Sequence, residues 1–142
     1  MDLTAFLADN ALKVKNESYA VSERFLDSNG EPVKWEIRAI SGEEDDALRR
    51  TYTRRVRVPG KKNQYTTEID FNAYVAALLV TCTVFPNLND TALQDSYHVM
   101  GSEKLLKAML TAGEYANYAD KVQQVCGFTE TLQDEVDEAK NL

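Results

Sequence analysis

Val33-Lys34-Trp35-Glu36-Ile37-Arg38-Ala39-Ile40-Ser41-Gly42-Glu43-Glu44 carries two periodicities back to back. Val33, Trp35, Ile37 and Ala39 alternate with Lys34, Glu36 and Arg38, the period-2 pattern of a strand with one buried face. At Ser41 the alternation stops and a capping box begins. The Ser41 hydroxyl can accept an orphan N–H while Glu44 reaches back to the cap, so a helix starts at Gly42 or Glu43. Glu43, Glu44, Asp45 and Asp46 then sit at the positive end of its dipole. A half-buried strand running straight into a capped helix predicts an α+β chain.

Working toward the N-terminus, Tyr19, Val21, Glu23 and Phe25 alternate against Ala20, Ser22 and Arg24, and Asp27-Ser28-Asn29-Gly30-Glu31-Pro32 supplies turn chemistry. Asn29 and Gly30 both tolerate positive φ, which favours a reversing turn. The two runs together predict an N-terminal antiparallel β-hairpin. Leu3, Phe6 and Leu7 before it are at helical spacing, so one or two turns of helix or an ordered arm precede the hairpin.

Working toward the C-terminus, the helix opened by Ser41 is expected to run through Ala47, Leu48 and Tyr52 to Arg54 or Arg55. Residues 54–69 hold an alternating piece, the Pro59-Gly60 turn and a second polar run, compatible with a second hairpin or with a loop. Asp70 caps an expected helix from Phe71 to Phe85 that is apolar nearly all round, the mark of a central buried helix, and Pro86 ends it. Asn89 or Asp90 caps a helix to Val99, and Gly101 separates it from Ser102–Leu110, where Leu105, Leu106, Met109 and Leu110 share one side. Thr111-Ala112-Gly113-Glu114 is a second capping box. It opens a helix with Tyr115, Tyr118, Ala119, Val122 and Val125 as its buried stripe and Gly127 as its stop. Thr129 starts a final acidic segment carrying Leu132, Val136 and Ala139. The expected fold is α+β: an antiparallel β-hairpin element followed by a mainly α-helical body of about five helices. All of it fits one domain over 1–142, with arm and hairpin in 1–40, helical body and basic loop 54–69 in 41–128, and an acidic end in 129–142.

At 142 residues the chain is long enough to bury roughly two thirds of its unfolded surface in a single core. Its 44% hydrophobic and 27% charged content is that of an ordinary globule. The net charge of −7 disfavours nucleic acid, whose binding depends on Lys and Arg at phosphates. That charge is unevenly spread: residues 1–48 hold eleven acids and five bases, residues 49–62 seven bases and no acid, residues 63–142 twelve acids and four bases. The start of the chain lacks a secretory signal pattern, and its apolar run from Phe71 is too short and too interrupted for a membrane span, so a cytoplasmic location is expected. Cys82 and Cys126 then read as reduced, small core residues.

Catalytic chemistry has little to work with. His98 is the single histidine, with no nucleophile elbow beside it. Two distant cysteines and one histidine offer no zinc-ligand spacing. The acids 43–46 point around a helix and are explained by its dipole. No Gly-rich phosphate loop occurs, so no enzyme activity and no cofactor are expected. The strongest feature outside the core is the basic island Arg49, Arg50, Arg54, Arg55, Arg57, Lys61 and Lys62. It reads as a solvated helix end and loop, as a contact surface for an acidic protein segment or a second copy of the chain, or, with the least weight, as a nucleic-acid contact. The acidic segment 129–142 is a candidate arm for a neighbour's basic island. A DNA-binding regulator built on Asn89–Leu110 would have only Lys104 and Lys107 for phosphates.

Along nearly its whole length the sequence resembles the XkdN-like tail assembly chaperones of contractile-tailed phages and related prophages. The residues that carry the resemblance, in order, are Val33–Ile40, Thr83-Val84-Phe85-Pro86-Asn87-Leu88-Asn89-Asp90, Leu93-Gln94-Asp95-Ser96-Tyr97, Met100-Gly101, Leu105-Leu106, Met109-Leu110 and Gly113-Glu114-Tyr115. The resemblance implies a non-enzymatic protein that binds the tape measure protein and keeps it soluble while tail tube subunits polymerise around it. It also implies self-association or contact with the tube protein, absence from the mature virion, and in many such phages a longer frameshifted product joined at the acidic end. A structural tail or baseplate subunit is the alternative within the same setting.

Overall fold

Strand β1, Glu17–Tyr19, pairs antiparallel with β2, Trp35–Ile37, in the register Glu17↔Ile37 and Tyr19↔Trp35. These elements belong to a computed structural model that describes residues 2–128. The expected helix from Thr129 lies outside the described residues. The N-terminal hairpin is present, but its first strand is shorter than the alternation of Tyr19–Phe25 predicted. Leu26 forms a bridge to Pro32 at the turn, so six residues lie between Tyr19 and Leu26 and only two between Pro32 and Trp35. The surplus cannot stay in a ladder and loops out. Val21 and Ser22 turn inward there, and the Ser22 hydroxyl accepts the Arg24 N–H at 3.1 Å. The turn itself forms as Asp27 and Gly30 allow, with Asp27 Oδ1 accepting from Asn29 and Glu31 and Gly30 at φ +79°.

The Ser41 capping box forms with both of its hydrogen bonds and opens α1, Gly42–Thr51. This helix ends short of the expected Arg54. Thr51 and Thr53 turn their hydroxyls onto the carbonyls of Ala47 and Arg49, and the chain enters β3, Thr53–Arg57. That strand pairs in full with β4, Tyr65–Ile69, so residues 54–69 are a second antiparallel hairpin. Asp70 caps α2, Phe71–Cys82, by accepting the Ala73 N–H. Here too the helix stops before the expected Phe85. Thr81 and Thr83 donate their hydroxyls to Ala77 and Leu79 carbonyls, and β5, Thr83–Phe85, leaves the helix to pair with β2. The first sheet therefore has the order β1-β2-β5. β-Branched residues at both helix ends explain both corrections, since they favour the strand that tertiary pairing offers.

Asp90 caps α3, Thr91–Ser96, which ends before Val99 because His98 adopts φ +56°, outside the helical region. Then come α4, Ser102–Met109, and α5, Ala112–Cys126, opened by the Thr111–Glu114 capping box and closed by Gly127 at φ +83°. Among the described residues the architecture is thus five α-helices with five short strands in two antiparallel sheets, an α+β fold.

The core forms around α2, which packs on α1, α4 and α5. Tyr74, Leu78, Leu79 and Cys82 from α2 meet Leu105 and Leu106 from α4, and Tyr118 and Val122 from α5. Trp35 and Ile37 of β2 close one side, with the Trp35 ring edge-on to Tyr118 at 5.2 Å. Cys82 is buried and its sulfur lies 3.7 Å from that of half-buried Cys126, both unbridged. In the N-terminal arm the expected turn is a short 3-10 turn over Thr4–Phe6, with Leu3, Phe6 and Leu7 all exposed.

Candidate interaction surface

The second hairpin turns the basic island into a surface. Val58-Pro59-Gly60-Lys61 is a tight turn: Lys61 N–H donates to the Val58 carbonyl at 3.2 Å, Pro59 fixes φ, and Gly60 takes φ +76°. Asn63 and Gln64 extend the loop before Val58 N–H meets the Gln64 carbonyl at 2.9 Å. Lys61 and Lys62 are thereby exposed at the tip. Below them the register places Arg57 opposite Tyr65, Arg55 opposite Thr67 and Arg54 opposite Glu68.

Side chains alternate in direction along a strand, so Arg55 and Arg57 share one face and Arg54 takes the other. On the first face the Arg55 guanidinium lies over the Tyr65 ring, 3.9 Å from its centroid. A cation over an aromatic ring is held in orientation while keeping its charge. On the second face Arg54 grips Glu68 through Nε and a terminal nitrogen, at 3.0 and 2.7 Å. That contact holds its guanidinium more firmly protonated. Arg49 is likewise occupied: it bonds Asp45 at 3.0 Å along α1 and covers the Tyr74 ring at 4.7 Å.

The seven cations of the island therefore do not act alike. Arg49 and Arg54 have carboxylate partners in the fold, whereas Arg50, Arg55, Arg57, Lys61 and Lys62 are exposed and form no ion pair among the described residues. Sequence reading gathered all seven but missed Tyr65, which sits across from Arg57 and beneath Arg55. Only the strand register could have shown this, because a turn centred on Pro59-Gly60 pairs different residues.

Two of the acids beside the island, Glu44 and Asp45, are committed to the fold. Glu44 caps Ser41 and takes Arg38 at 2.9 Å, a contact that holds its carboxyl below the usual range. Asp45 accepts from Arg49 and from the Tyr74 hydroxyl. No group of three or more metal-ligating side chains converges among the described residues. His98 lies exposed just past α3, away from the cysteines in the core. No helix of the described residues is long and apolar enough to cross a membrane.

Comparison with known proteins places this arrangement. The family described as the phage XkdN-like tail assembly chaperone protein matches residues 3–140. Two relatives from Bacillus subtilis strain 168 align over 141 residues, 99% of the chain. The uncharacterized protein YqbN is 30% identical with 93% of its length covered, and the phage-like element PBSX protein XkdN is 26% identical with 94% covered. The crystal structure of the protein YqbN superposes with a TM-score of 0.75 at 26% identity, over 90% of this chain and 98% of that one.

Proposed function

This chain belongs to the phage XkdN-like tail assembly chaperone family, and from that premise we propose that it binds the tape measure protein and keeps it soluble while the tail tube assembles. The work is done in the host cytoplasm and ends before the virion matures. The reading requires surface, not an active centre. Its family is one of chaperone-type proteins, and the side chains that commonly do chemistry serve here as caps, ion pairs and core.

What carries the reading at residue level is the grouping of Arg55, Arg57, Lys61 and Lys62 on the β3–β4 hairpin, with Arg50 at the end of α1 before it, none of them in an ion pair among the described residues. A steering surface of this kind favours an acidic segment of the client, and desolvation beside Tyr65 strengthens each contact. Contact with the tail tube protein would use the same logic. The long apolar side chains of the N-terminal arm, Leu3, Phe6 and Leu7, supply exposed surface for apolar stretches of the client.

The test is co-purification of the cognate tape measure protein with the full chain, beside Arg55→Glu/Arg57→Glu and Lys61→Glu/Lys62→Glu variants. Recovery should fall about ten-fold or more in each, since reversing two rim charges turns attraction into repulsion. Recovery equal to that of the unmodified chain would remove the hairpin from the client interface.

A further inference from the structure

Leu12-Lys13-Val14-Lys15 alternates as a half-buried strand does, yet Leu12 is 97% and Val14 73% exposed. The segment lies just before β1 and pairs with no strand among the described residues. At the other side of the same sheet the reverse situation holds. Strand β5 pairs only with β2, so its outer edge is open among the described residues, and Val84 and Phe85 on it are 43% and 50% exposed. Beside Phe85 opens an apolar groove of about 390 Å³ lined by Phe25, Leu26, Trp35, Phe85, Pro86 and Leu93.

An alternating apolar strand without a sheet and an apolar sheet edge without a strand are complementary. Strand addition at an open edge satisfies the backbone, and alternate side chains fill the pocket beside it. The chain cannot join the two itself. β1 and the outer side of β5 are three strand spacings apart, roughly 14 Å. Lys15 is two residues from Glu17, a reach of at most about 7 Å. Leu12–Lys15 therefore cannot run along the β5 edge of its own molecule.

We propose that residues 12–15 of one copy add as a strand to the outer edge of β5 in a second copy, with Leu12 and Val14 toward the Phe85 groove. Lys13 and Lys15 then face solvent. The other edges fit less well. β1 is the polar run Glu17-Ser18-Tyr19, and Lys121 of α5 already sits over it, 2.8 Å from Glu17 and 5.6 Å from the Tyr19 ring. The β3–β4 hairpin carries Arg55, Arg57, Lys61 and Lys62, which form no ion pair among the described residues and repel Lys13 and Lys15. Made reciprocally, the exchange closes a two-fold dimer. This goes beyond the client reading and is independent of it, since it concerns copies of the chain alone.

The experiment uses the purified full chain with no tape measure protein present. Light scattering should give the unmodified chain a mass of two copies, and Leu12→Asp/Val14→Asp should reduce it to one with unchanged circular dichroism. Because both positions are exposed, the fold should tolerate the change; Phe85→Asp, at a half-exposed position lining the receiving groove, should reproduce the loss. A photo-crosslinking amino acid in place of Leu12, in a mixture of isotopically heavy and light copies, should join heavy to light at residues 83–86. A single-copy mass for the unmodified chain, an association untouched by the aspartates, or crosslinks confined to one copy or to other surfaces would overturn the proposal.

Discussion

Arg24 and Glu114, ninety positions apart, meet at 2.6 Å, and the same guanidinium donates to the Met109 carbonyl at 2.7 Å. Glu114 is also half of the capping box that opens α5, so one carboxylate joins the looped-out segment of the first hairpin to the start of a core helix. The Arg24 hydrogen bond, with further help from Ser22 and the Thr111 N–H, holds the Glu114 carboxyl down to about 2. A glutamate in the unfolded chain titrates near 4.3. The unfolded state thus takes up the proton first as pH falls, and the stability contributed by Glu114 is lost between about 4 and about 2. Glu114→Gln should lower the melting temperature at neutral pH. The gap to the unmodified chain should close as the pH of the melts approaches 2.

Burial predicts a steep contrast between two leucines. Leu79 is fully buried in α2, whereas Leu12 is almost fully exposed. Leu79→Ala should cost ~2–5 kcal/mol through lost transfer energy and the cavity left behind. Leu12→Ala should stay within about 0.5 kcal/mol. Urea unfolding of the two variants under conditions that keep the chain monomeric measures the difference.

Thr83 and Tyr118 share a 2.6 Å hydrogen bond at the point where α2 becomes β5. The Thr83 hydroxyl also bonds the Leu79 carbonyl at 2.7 Å, so its proton is used there and the tyrosine is the donor. Burial pushes the Tyr118 hydroxyl up to about 12, in keeping with a group that stays protonated to donate. Tyr118→Phe and Thr83→Val should each cost about 1 kcal/mol. A double-mutant cycle should show the pair losing less than the sum of the two, by about 0.5 kcal/mol or more.

Gly60 at φ +76° is what lets the basic hairpin turn. Gly60→Val places a β-branched side chain in left-handed backbone and should cost ~1–3 kcal/mol locally. Since β3 and β4 pair chiefly with each other, hydrogen exchange should accelerate across residues 53–69 while α2 and α5 keep their protection. Equal loss of protection throughout the chain would mean that the hairpin is part of the central cooperative unit.

Much of this fold could be read from local chemistry. Both capping boxes, the Asp70 and Asp90 caps, the Gly127 stop and the buried stripes of α4 and α5 depend on residues within a turn or two of each other, and each forms where the sequence places it. The corrections share another origin. Whether Thr83-Val84-Phe85 continues a helix or becomes a strand depends on β2 being beside it, and β2 lies about fifty positions away in sequence. Likewise the strand expected through Phe25 fails because the far side of the hairpin supplies too few residues to pair with it. For the interaction surface, the charge excess of residues 49–62 was plain, but the division of its cations was not. Glu68 and Asp45 claim two of them through geometry that only the folded hairpin and α1 create.

The tryptophan at position 35 is the sole one in the sequence, and it is 2% exposed against Tyr118. Its emission therefore reports the hydrophobic centre where it backs the Phe85 groove: blue-shifted when that centre is intact, fed by excitation transferred from the neighbouring phenol, and red-shifted once water enters. Every surface variant described above can be checked for a sound interior by reading one intrinsic fluorophore, with no dye and no tag.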